Sequence, residues 1–266
     1  MRIALVLSGQ ARFADIAYRV GALNYKMYDI FFHTWSGDEH PQLAPWLNRT
    51  NVYLTPIDEL IEIFHPVKYS ITTQNIFQNN EIRARCQESP EINALHHMFQ
   101  SIYLADACRK EYETNNGFNY DLVIRCRFDL LTLSSVPHSM VPNNVIYTPY
   151  LLKHKESPCD WLFMASSPTM TKISDLFLKF SNYLDFGIQK SGEELLKHHL
   201  KINGIANSNF SISAILIRDR KLQDVRFGSI TFSHSKKIWS RKFLFFVKMK
   251  FMQQLLFFRN KTFSSI

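Results

Sequence analysis

The 266-residue chain is poor in cysteine and has no paired-cysteine motif. Cys86, Cys108, Cys126 and Cys159 lie far apart, with no CxxC among them. That spacing excludes a zinc knuckle or a dithiol redox motif. Reduced thiols in a cytosolic protein are the simple reading. Long hydrophobic runs are missing too. No stretch reaches the ~18 apolar residues of a membrane span. The opening MRIALVLSGQ has an apolar run only from Ile3 to Leu7, and no small-residue cleavage site follows it. It reads as a first strand rather than a secretory signal. Internal repeats and low-complexity linkers are also lacking.

Acidic residues vanish after Asp224, while nine Lys and Arg follow: Arg226, Lys236, Lys237, Arg241, Lys242, Lys248, Lys250, Arg259 and Lys261. Without these nine, 22 basic residues face 23 acidic ones, so the net charge of +8 belongs to the tail. The apolar fraction of 46% suits a soluble globular body whose core needs no staples. We therefore divide the chain into a body over 1–232 and a basic aromatic tail over 233–266.

The tail reads HSKKIWSRKFLFFVKMKFMQQLLFFRNK. As a helix it places Phe243, Val247, Phe251 and Leu255 on one face at i, i+4 steps, with Arg241 and Lys248 opposite. Phe245 and Met252 interrupt the division. A basic, aromatic helix of this kind suits an anionic membrane surface. A helix docked on the body with snorkelling lysines is the plainer alternative. Nucleic acid is a third reading and is not the expected partner.

Along the body, strands are expected at Ile3–Leu7, Tyr28–His33, Asn51–Leu54, Leu122–Arg127, Val145–Tyr147, Trp161–Ala165 and Ile212–Ile217. Helices are expected at Phe13–Leu23, Ile57–Phe64, Met170–Tyr183 and Gly192–Ile202, the last closed by Asn203-Gly204. Residues 72–89 are polar and read as loop with some helix. Pro90 opens a long helical stripe through Leu95, Met98, Phe99, Ile102 and Tyr103, which stops by Asn115-Asn116-Gly117. Strands alternating with helices predict an α/β domain with a largely parallel sheet. Ligands of such sheets sit outside the carboxyl ends of the strands.

Three constellations fall at those ends. YDLVIRCRFDLL, from Tyr120 to Leu131, is an apolar strand that closes in Arg125, Arg127 and Asp129. A carboxylate there can hold Mg²⁺ or Mn²⁺ against a diphosphate. Arginines beside it offer forked donors for phosphate oxygens. The plainer alternative is an Arg–Asp ion pair tying strand to loop. Ser8, Gly9, Gln10 and Arg12 form a strand–turn–helix that can lay backbone N–H groups on a nucleotide; the alternative is a tight turn that needs Gly9. His33-Thr34-Trp35 ends the next strand, where Trp35 is placed to stack on a ring or to cap the core. The adjacent pairs His96-His97 and His198-His199 lack the i, i+4 spacing of helical metal ligands.

These stretches carry a resemblance. IALVLSGQAR at Ile3–Arg12, FFHTW at Phe31–Trp35, MFQSIYLADACRKEYE at Met98–Glu113 and YDLVIRCRFDLL are similar, in order and spacing, to glycosyltransferases encoded in bacterial capsule and O-antigen clusters. The likeness covers roughly the first half of the chain, and the second half follows more loosely. It implies a GT-A-like fold and sugar transfer from a nucleotide donor to a hydroxyl of a lipid-linked glycan. It also implies a peripheral location on the inner face of the cytoplasmic membrane. In that fold type an Asp-x-Asp motif holds metal and diphosphate. Here Arg127 stands where the first Asp would be, so Asp129 is the only metal ligand expected. Two routes stay open: a divalent cation on one carboxylate, or arginines in its place. The resemblance also implies an acid near Asp160, in SPCDWLFMAS, acting on the acceptor. Inverting transfer needs a base within reach of the acceptor hydroxyl. Glu193 and Glu194, in SGEELLKHHL, are the other candidates, although acids at a helix N-terminus also serve the helix dipole. We take Asp160 for catalysis with Glu193 as its partner.

Two rival classes remain: a nucleotidyltransferase, which would want a second carboxylate near Asp129, and a non-catalytic adaptor that binds membrane or nucleic acid through its tail.

Overall fold

The computed structural model of the chain describes residues 1–36, 54–74, 77–139, 141–149, 157–188 and 191–217. The expected tail, and all but Leu54 of the expected strand at Asn51–Leu54, lie outside these residues. Leu54 makes an isolated antiparallel bridge with Arg12.

The first half of the body contains β1 (Ile3–Ser8), α1 (Ala14–Val20), β2 (Asp29–Trp35), α2 (Ile57–Phe64), β3 (Lys68–Thr72), α3 (Asn80–Glu88), α4 (Pro90–Asn116) and β4 (Leu122–Arg127). Then follow β5 (Leu130–Thr132), β6 (Val145–Pro149), β7 (Leu162–Ala165), α5 (Ser167–Ser174), α6 (Leu176–Asp185), α7 (Gly192–Ile202), β8 (Ala206–Phe210) and β9 (Ala214–Leu216). A seven-stranded sheet runs in the order β3-β2-β1-β4-β7-β6-β8, and β5 pairs with β9 beside it. Strands β1 to β4 are parallel, as are β6 and β8. Within the seven-stranded sheet β7 runs antiparallel to its neighbours, β4 and β6, and β5 and β9 also pair antiparallel. The chain is thus an α/β protein with a mostly parallel sheet flanked by helices, consistent with a Rossmann-like fold. No helix among the described residues is long and apolar enough to cross a membrane.

Burial on both faces explains why β1 reads as an unbroken apolar run. Ala4 and Val6 pack with Phe31, Val123 and Phe163 under α4, α5, α6 and α7. Ile3, Leu5 and Leu7 point the other way, into a second core with Phe32, Ile124 and Leu60. Fully burying each such side chain contributes roughly 1.5–3 kcal/mol. Helix α4 starts with Pro90 at its first turn, capped by Ser89, and ends at Gly117, whose φ of 67° is the left-handed closure glycine favours. It carries seven buried polar side chains, His96, His97, Gln100, Ser101, Asp106, Arg109 and Glu113. Its N-terminal half lies by the carboxyl ends of the strands, because Ser101 meets Gly9 and His33 there.

Several expected boundaries move. Met170–Tyr183 is two helices, α5 and α6. The Ser174 hydroxyl bonds both to Asp106 of α4 and back to the Thr171 carbonyl, and the chain turns at Asp175. His33, Thr34 and Trp35 belong to β2 itself, because β3 pairs alongside them. The expected strand at Ile212–Ile217 shortens to β9, and α1 stops at Val20 rather than Leu23.

Candidate active site

A cation inside a sheet needs partners that replace water. Arg125 is 1% exposed. Its Nε donates to Ser8 Oγ at 2.9 Å, its Nη1 donates to the Asp160 carbonyl, and its guanidinium lies over the Phe163 ring at 5.5 Å. Burial lowers its pKa to about 10, with the Asp160 charge opposing. Arg125 and Ser8 therefore form a strut joining β1, β4 and the start of β7. Its charge is spent inside the protein.

Arg127 is less deeply buried and pairs with a carboxylate. Its Nε and Nη2 form a fork onto Asp129, at 2.7 Å to Oδ1 and 2.8 Å to Oδ2. Arg12 approaches Oδ2 from the other side at 3.5 Å. The Asp129 side chain is 2% exposed, while the side chains of Arg127 and Arg12 are 18% and 16% exposed. Burial alone would lower the Arg127 pKa, but the charge and hydrogen bonds of Asp129 outweigh it and raise the value. Backbone bonds fix the fork: Arg127 N–H donates to the Trp161 carbonyl at 3.2 Å, and Ile217 N–H donates to the Asp129 carbonyl at 2.8 Å. Phe13, the neighbour of Arg12, is a buried non-glycine residue at φ 50°. Helix α1 has no side-chain cap of its own. Thr55 Oγ1 instead accepts from Ala14 N–H at 3.0 Å and Asp15 N–H at 3.3 Å.

The antiparallel β7 brings the acids to this place. Cys126 of β4 stands opposite Leu162, so Asp160 lies beside Arg125 and Arg127. Asp160 is 7% exposed, and its carboxylate lies against Gly192 at the start of α7. Ser191 caps that helix by accepting from Glu194 N–H, and Glu194 in turn accepts from Ser157 Oγ at 2.5 Å. Burial, then the Asp160 charge, push the Glu193 pKa up to about 7. The structure thus gathers Arg12, Arg125, Arg127, Asp129, Asp160 and Glu193, which span 182 positions of sequence, at one end of the sheet.

Gly9 sits at φ 109°, a conformation L side chains rarely adopt. Its N–H donates to Ser101 Oγ at 2.6 Å, so this donor is engaged within the protein. Ser101 also meets His33 Nδ1 at 2.8 Å, and His33 Nε2 meets Thr72 Oγ1 at 3.0 Å. The ring is fully buried, and burial lowers its pKa to about 3. It is a neutral tie between β2, β3 and α4.

Gln10 and Ala11 line a cleft of about 380 Å³, whose walls include Trp35, Gln74, Phe77, Asn93 and His97. None of its described lining residues is Asp, Glu, Lys or Arg. Trp35 meets the His33 ring at 4.6 Å and the His97 ring at 5.2 Å, edge to face. An uncharged cleft with a large aromatic side chain and three carboxamides suits a flat heterocycle with hydrogen-bonding edges. It adjoins the guanidinium cluster, since Ala11 lines the cleft and Arg12 pairs with Asp129.

Sequence reasoning missed Ser101, Gln74 and Asn93. Each is an ordinary polar residue, and nothing in its neighbours signals a role. His96 packs among Phe77, Phe177 and Phe180, and His199 bonds to Tyr183 and the Lys172 carbonyl.

The donor set fits a divalent cation poorly. Both oxygens of Asp129 are taken by guanidinium groups. No group of three His, Cys, Asp or Glu placed to hold a metal occurs among the described residues.

No family model matches the chain, and no match is found among curated proteins.

Proposed function

We propose that the protein is a GT-A-like glycosyltransferase that moves a sugar from a nucleotide donor to a hydroxyl of a lipid-linked surface polysaccharide intermediate. The observation that carries this reading is the convergence of Asp160 and Glu193 on the Arg12–Asp129–Arg127 cluster, beside an uncharged cleft. The cleft takes the base and ribose, with Gln10 on its wall. The arginines face the diphosphate. Ser8, Gly9 and Arg125 hold the strand ends in place rather than reaching for the donor.

In the transfer step Asp160 accepts the proton of the acceptor hydroxyl. The hydroxyl oxygen bonds to the anomeric carbon as the bond from that carbon to the diphosphate oxygen breaks. The electron pair leaves with the diphosphate, whose added charge Arg12 and Arg127 stabilise. Glu193, with its raised pKa, holds a proton near neutral pH, which favours the ionised form of Asp160 as base. The basic tail suits the anionic face of the cytoplasmic membrane, where such acceptors are exposed.

The test is a panel of nucleotide sugars incubated with purified protein, read as nucleotide release. Release from one donor, reduced at least about a hundredfold in Asp160→Asn, is the expected result. Silence across the panel, together with no nucleotide binding, moves the weight to an adaptor. Liposome flotation of the full chain against a chain ending at Ser233 tests the tail, and equal flotation sinks the membrane reading.

A further inference from the structure

We propose that the donor diphosphate is held by Arg12 and Arg127 as a pair, oriented by Asp129, and that this site binds without a divalent cation. The inference rests on the nucleotide-donor reading above.

Its first support is the use already made of Asp129. Magnesium and manganese take one or two carboxylates with an oxygen open to the ion. Here Oδ1 accepts from Arg127 Nε at 2.7 Å, and Oδ2 accepts from Arg127 Nη2 at 2.8 Å with Arg12 Nη2 at 3.5 Å. A cation would have to displace a charge-assisted fork, the strongest common form of side-chain hydrogen bond. It would also set a dication beside Arg12, Arg125 and Arg127. The second carboxylate in the cluster, Asp160, lies against the start of α7, with its own carbonyl bound by Arg125.

The second support is charge and geometry. Arg12 and Arg127 both pair with the single carboxylate of Asp129, so this trio carries one net positive charge before any ligand arrives. The buried carboxylate acts as a bracket: the Asp129 side chain is 2% exposed, while Arg127 and Arg12 keep 18% and 16% of their side-chain surface open. Guanidinium groups match phosphate oxygens in a way an ammonium does not. A bracketed pair is also fixed in advance, so less side-chain freedom is lost when a phosphate binds. These are the requirements for holding a leaving diphosphate, and they are met by the chain's own residues.

Calorimetry on the full chain decides the matter, with inorganic pyrophosphate, UDP, GDP, CDP and ADP as probes. Each is titrated in EDTA and again with Mn²⁺ or Mg²⁺. We expect at least one nucleoside diphosphate to bind in EDTA within about threefold of its affinity with cation. Arg127→Lys and Arg12→Gln should each weaken that binding at least about tenfold, or ~1.4 kcal/mol. Arg12→Gln removes a partly exposed side chain, which guards against a variant that fails to fold. Binding that appears only with cation overturns the inference and leaves the donor reading standing. Unchanged affinity in both arginine variants also overturns it. Pyrophosphate bound in EDTA with every nucleotide refused supports the anion site and sinks the donor reading. No binding of any probe sinks both.

Discussion

Gly192 lies directly against Asp160: a β-carbon at residue 192 would stand 2.4 Å from Asp160 Oδ2 and 2.9 Å from Met98 Cε. The methionine end can move. The aspartate backbone is held by Arg125 on its carbonyl, so the carboxylate itself must swing away. Gly192→Ala should therefore misplace the acceptor-side acid. Alanine favours a helix by up to about 1 kcal/mol over glycine, so stability should change little. Turnover should fall at least about tenfold, since ångström-scale misplacement at a reacting centre is costly. Parallel assays of nucleotide release and thermal melting check this. Full activity in Gly192→Ala would separate Asp160 from the chemistry.

Glu193 makes a second prediction, in pH. Its folded pKa is raised from 4.5 to about 7 by burial and by Asp160. Between those values the native state holds the proton that the unfolded chain releases. Stability is then fully present below 4.5 and is lost as pH rises toward 7. Glu193→Gln cannot release the proton and should flatten that slope. Urea titrations of both proteins at several pH values between these limits are the measurement. Equal slopes would mean that Glu193 titrates normally.

The strand carrying Arg125 and Arg127, with Asp129 just beyond its end, was legible because an apolar run that closes in charge has to end at the margin of a sheet, where the charges find partners. Helix α7 was legible to the residue, from the acids at its start and Asn203-Gly204 at its end. Edge strands β3 and β8 were not. Their sequences, KYSIT and ANSNF, are polar because the strands lie on the sheet's margins and leave side chains exposed. The break between α5 and α6 was hidden as well, since it depends on Ser174 reaching Asp106, a residue 68 positions away. The site showed the same limit. Each charged residue was visible, and an Arg–Asp ion pair was one of the two readings of this stretch, but that Arg127 forks onto both oxygens of Asp129 while Arg12 joins from β1's side of the site is a fact of geometry. That Asp160 meets the end of β4 requires β7 to run antiparallel, which local pattern does not encode.

Far from this site, Arg109 anchors α4 to α5. It bonds to Asp106 at 2.7 Å, Glu113 and Ser167 at 2.5 Å and Thr171 at 3.0 Å, with the side chain wholly buried. Arg109→Ala would leave two buried carboxylates without their cation. We expect a loss of about 3–5 kcal/mol in denaturant unfolding. Arg109→Met with Asp106→Asn and Glu113→Gln should recover part of it, because the unpaired charges are then gone. A loss below about 1 kcal/mol in Arg109→Ala would mean that water or another cation replaces the guanidinium.

His33 gives the last prediction, with the opposite sign to Glu193. Burial lowers its pKa from 6.5 to about 3, so the native ring stays neutral where the unfolded chain's ring takes a proton. Stability from this residue is present above 6.5 and falls as pH drops toward 3. One such group contributes about 1.4 kcal/mol per pH unit within the window, or about 2 kcal/mol by pH 5. His96 and His97 shift the same way, so the wild-type loss contains their share. His33→Gln keeps a hydrogen-bonding side chain without the titration, and should remove only its own portion of the acid slope. The bond network sharpens the test, because Ser101 holds both His33 and Gly9 N–H. Loosening the ring should loosen the turn after β1, so amide exchange at Gly9 should quicken in His33→Ala more than in His33→Gln. Identical acid slopes in wild type and His33→Gln would show that the ring reaches solvent before the protein unfolds.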